Sequence, residues 1–376
     1  MEQRTAIVIG AGIVGLATAR ALAVKGYKVK IIERNQKAIG ASIRNFGMIW
    51  PIGQPAGHLY ERALRSKSIW KTICGETDIW HDEVGSLHVA HNEDEWDVLK
   101  ELYELFHKDR PVELLSKKQA EYVSAAAETQ TLLGGLYSKD EMIVNPVKAI
   151  EALPGYLSEK YAVEFIWGKC VTYIADASVF VGTKEEYEAD LIFICSGSDF
   201  ETLYPEDFAK LPFTKCKLQM MRTVTQPDNW RMGAALCGGL SLIHYKSFAA
   251  APSITSLKKR YQNEMGEYID WGIHVMACQN EIGQITIGDS HEYGLTHDPF
   301  DKEKINALIL SYLKKIAKFK DWQITESWNG IYPKLTDGDT DLFYSPEQGV
   351  YLVNGLGGAG MTLSFGFAEE IVDSLK

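Results

Sequence analysis

A chain of 376 residues exceeds what a single hydrophobic core organises, so two or more domains are expected. Hydrophobic residues at 46% and charged residues at 24% place it with soluble globular proteins. The net charge of −11 argues against nucleic acid or an anionic membrane as a principal partner, because both would be repelled, while a locally basic pocket could still take a small anionic substrate.

The chain opens with Thr5-Ala-Ile-Val-Ile-Gly10-Ala-Gly12-Ile13-Val14-Gly15, which reads as a buried parallel strand, a glycine turn and the start of a helix running from Leu16 to Val24. Gly10 permits the tight turn, Gly12 lets the backbone approach a pyrophosphate, and Gly15 lets helix and strand pack closely. Gly26 turns the chain again, and Tyr27 to Glu33 forms a second strand ending in a carboxylate suited to a ribose diol. A lone GxGxxG is a weak signal; the preceding strand, the following helix and the terminal acid make this a dinucleotide-binding βαβ unit. A signal peptide or membrane helix is a poor alternative, since the apolar run after Arg4 holds three glycines and Arg20 and lacks a cleavage site with a polar start after it.

Next comes a loop of small and polar residues, Ile39 to Met48, in which Ala41 and Ser42 can bind phosphates and Gly47 can approach a flat ring. Residues 58–73 are expected to be helical with Leu59, Ala63, Ile69 and Trp70 buried, residues 85–90 a strand, and residues 93–108 an amphipathic helix. The α/β pattern returns at Asn145-Pro146, with a helix over 147–157, a strand over 163–167, a hairpin over 171–174 and 179–182, and a buried strand over 189–197 ending in Ser196-Gly197. Between 211 and 329 the rhythm breaks: strands are expected over 217–224, 272–279 and 284–288, and a helix over 305–319. There, Ser241 to Phe248 sets His244, Tyr245 and Lys246 inside an apolar frame. The end repeats the beginning, with a strand over 349–355, a glycine turn over 356–360 and a helix over 361–375.

Cys74, Cys170, Cys195, Cys216, Cys237 and Cys278 are dispersed without a CxxC pair. They read as reduced residues of a cytoplasmic protein, with no metal site. The resulting assignment gives 1–55, 145–210 and 330–376 to a Rossmann-like α/β domain, with 56–144 and 211–329 forming a second, interleaved domain. The first helix N-terminus has a pyrophosphate to stabilise; the last helix, entered through Gly357, Gly358 and Gly360, needs another electron-rich partner. NAD offers none, whereas the N1/C2=O edge of a flavin becomes negative on reduction, so FAD is the expected cofactor.

The opening βαβ motif, Asp190 to Gly197, and Gly355-Leu-Gly-Gly-Ala-Gly-Met-Thr362 together resemble the D-amino acid oxidase type of FAD-dependent oxidoreductase, the group that contains glycine oxidase and sarcosine oxidase. Residues 40–51, 243–248 and 288–294 further resemble a bacterial subgroup associated with aminophosphonate breakdown. The resemblance implies that the second domain is an α+β substrate domain whose mostly antiparallel sheet covers the flavin. It implies ADP contacts at Gly10, Gly12, Gly15 and Glu33, with Ile13, Val14 and Arg34 beside them, and an adenine-side contact at Val171. The pyrophosphate and isoalloxazine loop would be Ala41, Ser42, Asn45, Phe46, Gly47 and Met48. The flavin edge would meet Gly355, Gly357, Gly358, Ala359, Gly360, Met361 and Thr362, with Ser196, Gly197 and Gly330 also lining the cofactor.

One departure bears on substrate. Where many relatives carry Trp-x-Gly-x-Arg-Pro, this chain has Trp328-Asn-Gly-Ile-Tyr332-Pro333, so the bidentate partner of an α-carboxylate is missing. Arg44, His244, Tyr245, Lys246, His274, His291 and Tyr332 are the candidates for another anion handle, and Lys, His and Tyr donors suit a phosphonate. Plainer readings stand beside these: Arg44 pairing with a phosphate or carboxylate, His274 as a core residue, and the Ser241–Phe248 run as a loop cap. His58, His81, His88, His91, His107 and His297 are expected at the surface, and Trp50, Trp70, Trp80 and Trp271 in the core or the wall. The resemblance implies hydride transfer from a C–H next to nitrogen to the flavin, with no obligatory side-chain base. The expected activity is oxidative deamination or N-demethylation of a small amine with an anionic tail, such as 2-aminoethylphosphonate or its N-methyl derivative, giving an aldehyde, with molecular oxygen as acceptor. A 2-hydroxyacid or glycerol-phosphate dehydrogenase and a non-catalytic flavin-binding subunit are the alternatives; monomer or homo-oligomer is left open.

Overall fold

In the computed structural model, which describes residues 3–375, the opening strand Thr5–Ile9 sits inside a six-stranded sheet. The spatial order is Leu342–Glu347, Val350–Asn354, Leu191–Ile194, Thr5–Ile9, Lys28–Glu33, Glu164–Trp167, all parallel except the antiparallel edge strand Leu342–Glu347. Alternate residues point to opposite faces, and both faces of the central strands are covered, so Thr5–Ile9, Leu191–Ile194 and Val350–Asn354 are almost continuously buried. Ala6 and Val8 pack under the helices Ile13–Val24 and Gly360–Ser374, while Ile7 and Ile9 face Val171, Val179 and Phe200. The order reverses between Lys28–Glu33 and Leu191–Ile194 on either side of the first strand, and this switch point opens a crevice at the strands' carboxyl ends.

A second sheet of nine strands is antiparallel except where Ala235–Cys237 runs parallel to Ser86–Ala90. Its outer face packs on the amphipathic helices Glu93–Phe106 and Glu303–Ile316 through Val98, Leu102, Ile305, Ile309 and Leu313. Helix Glu93–Phe106 starts in a capping box, with the Asn92 and Glu95 side chains each accepting from the other's backbone region.

Three local expectations change. The hairpin after Val171 is a three-stranded meander, because Glu185–Glu188, too charged to read as a strand, pairs with Ser178–Val181. Ile324–Leu335 is a twelve-residue strand although it holds Gly330 and Pro333; pairing along Phe213–Thr223 overrides its weak propensity, and the boundary drawn at 330 falls inside it. Helix His58–Glu76, read as the start of the substrate region, buries Ala63, Ile69, Trp70 and Ile73 against the last helix of the dinucleotide domain; Leu59 is only half-buried. Arg62 fixes this packing, donating to Glu370 and Asp341.

Candidate functional site

The crevice is a cavity of about 990 Å³ lined by the parallel strands' carboxyl ends, the 39–50 loop, the last glycine turn and the inner face of the large sheet. Its dinucleotide part is made of backbone. Gly10 has φ +105°, and a Cβ there would lie 2.4 Å from the Cys195 carbonyl oxygen. A Cβ on Gly15 would lie 1.9 Å from the Gly10 oxygen, so only glycine allows this strand and helix to touch. The Ala11 N–H donates to Glu33 Oε2 at 2.9 Å, and Asn35 donates to Glu33 Oε1. A carboxylate has about four acceptor positions, which leaves room for a ribose diol.

Two helices begin at this cavity with no side-chain cap of their own: Ile13–Val24, whose Ile13 N–H meets Ser42 Oγ at 2.9 Å, and Gly360–Ser374. Their first-turn N–H groups and positive ends therefore face a ligand space. Thr362, on the first turn of the last helix, accepts the Trp50 N–H at 3.0 Å, and Trp70 donates to the Met361 carbonyl oxygen at 2.9 Å, fixing the turn against the 50s loop. Two anchoring points of opposite chain origin in one cavity fit FAD, with its pyrophosphate at one helix and its flavin edge at the other.

The other part of the cavity is made of side chains. Cross-strand pairing puts Tyr293, Cys216 and Tyr332 in one row of the sheet, and Lys334 lies two residues beyond Tyr332 on the same face. Lys334 Nζ donates to the Tyr293 hydroxyl at 2.9 Å. Beside this row, the rings of His244 and His274 stack with centroids 3.8 Å apart, and His291 is 4.7 Å from His244. Asp289 lies between strands, its Oδ1 3.0 Å from His274 Nε2 and its Oδ2 3.8 Å from His291 Nε2.

Electrostatics follow from burial. His244, open to the cavity, is pushed below the ordinary imidazole range by desolvation within the cavity and by its histidine neighbours, and burial takes His291 down to about 4, so His291 is neutral at pH 7. Burial also raises the Asp289 carboxyl, but His274 and His291 outweigh it and hold it below the usual carboxylate range. The Tyr332 hydroxyl is pushed well up by burial and remains a donor.

A family model described as "DAO: FAD dependent oxidoreductase" matches residues 5–374. The chain belongs to this family. Its cofactor is FAD, and it is an FAD-dependent oxidoreductase. Glycine oxidase from Geobacillus kaustophilus superposes with a TM-score of 0.76 at 19% identity, covering 99% of this chain and 95% of that one. L-alpha-glycerophosphate oxidase from Mycoplasma pneumoniae, solved with FAD bound, superposes with a TM-score of 0.75 at 17% identity, covering 100% and 96%. Among curated sequences, the bifunctional tRNA 5-methylaminomethyl-2-thiouridine biosynthesis protein MnmC of Saccharophagus degradans is 26% identical over 254 residues, or 62% of this chain; the match spans only 34% of that protein's length.

In this DAO-family chain the cavity gathers residues far apart in sequence. Gly10, Gly12, Ile13, Val14, Glu33, Arg34, Ala41, Ser42, Asn45, Phe46, Met48, Val171, Ser196, Gly197, Gly330, Gly355 and Gly357 to Thr362 all line it, as do Arg44, His244, Tyr245, Lys246, His274, His291 and Tyr332. Gly47 does not. A Cβ there would lie 2.0 Å from the Val144 carbonyl oxygen, so this glycine serves the close pairing of Met48–Ile49 with Met142–Val144 rather than a flat ring. Gly15 likewise acts by packing alone.

His88 is the other correction. It is fully buried on strand Ser86–Ala90, edge-on to Phe248, with its imidazole pushed down to about 3 by burial. The Ser-Leu-His-Val-Ala run alternates too weakly to reveal that both faces of this strand are covered. Sequence reasoning also missed Lys334, Tyr293 and Asp289. Lys334 was within reach, since two-residue periodicity from Tyr332 places it on the same face once the strand is recognised. Metal-ligand spacing is absent from the sequence, yet the fold brings His244, His274 and His291 together.

Proposed function

We propose that this protein oxidises a small primary or secondary amine carrying an anionic tail, with an aminophosphonate such as 2-aminoethylphosphonate or its N-methyl derivative as the best fit. The observation that carries this reading is a set of three cavity cations, Arg44, Lys246 and Lys334, none of which pairs with a carboxylate among the described residues. In a protein of net charge −11, where 24 contacts between lysine or arginine and a carboxylate are found among the described residues, unpaired cations on a cavity wall call for an anionic ligand.

Lys334, with the Tyr293 and Tyr332 hydroxyls, offers point-like donors to a phosphonate rather than the planar fork that suits an α-carboxylate. Tyr332 stands where the resemblance places an arginine in many relatives. The FAD, when bound, supplies the acceptor for the hydride leaving the carbon next to nitrogen. The chain's residues hold the tail at the Lys334 end so that the amine carbon reaches the isoalloxazine. Loss of that hydride gives an imine, whose hydrolysis releases an aldehyde and ammonia or methylamine. Oxygen is the proposed electron acceptor, and a soluble cytoplasmic enzyme is the proposed setting.

The test is anaerobic titration of the yellow protein with amines that differ only in having or lacking a phosphonate, followed by peroxide measurement in air. Flavin bleaching by aminophosphonates with peroxide release is expected. Bleaching by hydroxyacids or glycerol phosphate alone, or no bleaching by any amine, would overturn the reading.

A further inference from the structure

We propose that His244, His274 and His291 form a binding site for a divalent transition-metal ion on the cavity wall, with an open coordination position that takes an oxygen of the substrate's anionic tail. The metal site stands on geometry alone; the tail contact rests on the function proposed above.

One ring nitrogen from each histidine lies within 4.8 Å of the other two. Metal–imidazole bonds of about 2.1 Å place ligand nitrogens roughly 3–3.5 Å apart, so rotations of order one ångström would close the set. The frame is stiff: His274 and Asp289 exchange both backbone bonds, at 3.2 and 2.8 Å, and the His291 N–H donates to the Trp271 carbonyl at 2.9 Å.

Both buried rings are already oriented as ligands. His291 Nδ1 lies 2.8 Å from the Gly272 carbonyl oxygen and so carries the proton, leaving the lone pair on Nε2. His274 turns Nε2 to the Asp289 carboxylate, while its Nδ1 has no partner although the residue is 3% exposed. Backbone carbonyls and carboxylates behind imidazoles are the usual supports of histidine ligands. Unpartnered buried polar atoms are costly unless a ligand completes them.

The alternative use of three clustered histidines is as imidazolium donors to the anion itself. Their spacing works against that, since imidazolium charges on rings whose centroids lie 3.8 and 4.7 Å apart would repel one another, whereas a metal bound between them would hold the rings together. Three imidazoles favour zinc, iron, cobalt, nickel or copper over magnesium or calcium, and three protein ligands with one side open to the cavity match a ligand-exchanging rather than a closed structural site. Lys334 is the cation facing the cluster and Asp289 the anion that offsets it.

The experiment uses FAD-replete protein, stripped with chelator and dialysed against Zn²⁺ or Co²⁺, with bound metal measured by elemental analysis and Co²⁺ also by its absorption beyond the flavin bands. About one equivalent is expected, lost in His291→Ala and in His244→Ala, with Asp289→Asn weakening affinity about 10- to 100-fold. His244 is exposed to the cavity, so His244→Ala separates loss of the ligand from loss of fold, and flavin content should be unchanged. Methylphosphonate should bind more tightly to metal-loaded than to chelated protein. Metal remaining below about a tenth of an equivalent in the unaltered protein would overturn the site. Equal methylphosphonate affinity with and without bound metal would overturn the tail contact. A metal-replete protein that oxidises no amine would overturn the proposed function and leave the metal site standing.

Discussion

The two parts of the cavity are built from different materials. The dinucleotide part consists of glycines, strand ends and uncapped helix N-termini, and its donors are backbone N–H groups. The substrate part consists of side chains, Lys334, Tyr293, Tyr332 and the three histidines, brought together on one sheet face. A backbone site is set by local conformation, so few residues can be exchanged there without losing the cofactor. A side-chain site is set by which groups project from a sheet, so its chemistry can change while the sheet stays the same.

The sharpest way to break that contrast is at Gly15. A Cβ there has no room beside the Gly10 carbonyl, so Gly15→Val should cost at the upper end of overpacking effects, about 3 kcal/mol or more, and should abolish FAD retention; urea unfolding and flavin content check both. A well-folded, yellow Gly15→Val protein would show that the backbone cradle tolerates what its geometry forbids.

Outside the cavity, Glu141 ties the 50s loop to the large sheet that carries the side-chain site, accepting the Ile52 N–H at 2.9 Å and the Ser86 hydroxyl at 3.0 Å. Burial raises this carboxyl to about 7, above its unfolded value of about 4.3. The folded state thus holds a proton that the unfolded chain releases, and stability should fall as pH rises from about 5 through 7. Glu141→Gln removes that slope, gaining up to about 3 kcal/mol over the parent above pH 7 and little at pH 4; melting curves across pH decide. A gain of equal size at both pH values would mean that the carboxyl does not titrate in this range.

Lys334→Gln sharpens the contrast from the substrate side. Loss of a charge-assisted bond to the tail, worth about 1.5–3 kcal/mol, should raise KM for an anionic amine roughly 10- to 150-fold with FAD content unchanged, and Lys334→Arg should recover part of it. Unchanged KM would remove Lys334 from the anion handle. The smallest effect is expected at Lys246, which is exposed and rests its Nζ on the Gly338 carbonyl oxygen. Lys246→Ala should change KM by no more than about fivefold, in keeping with the modest value of exposed charges.

Much of the cofactor site was legible because its residues are contiguous and their reasons local. Gly10 to Gly15, Glu33 and Gly357 to Gly360 announce turns and helix starts that depend on neighbouring residues alone. The substrate side was legible only in pieces. His244 and His291 stood out as polar groups in apolar or glycine-flanked runs, but nothing in the spacing joined them, and Ile324–Leu335 concealed Lys334 because Gly330 and Pro333 hid the strand. His88 and Gly47 were misread for the same cause: both answer to residues packed against them from far along the chain, Phe248 on His88 and the strand ending at Val144 on Gly47.

By itself, then, the sequence determined a dinucleotide-binding α/β domain, and its second glycine turn pointed to FAD, because glycine conformations and helix N-termini are consequences of a few adjacent residues. Only the tertiary structure decided that Lys334, Tyr293 and Tyr332 share a face and that residues 244, 274 and 291 form one cluster. Those meetings depend on the register of Phe213–Thr223 with Ile324–Leu335 and Glu292–Gly294, and on the backbone pairing of His274 with Asp289. Strand register is fixed by the whole sheet burying its apolar side, a condition that no short stretch of the chain contains.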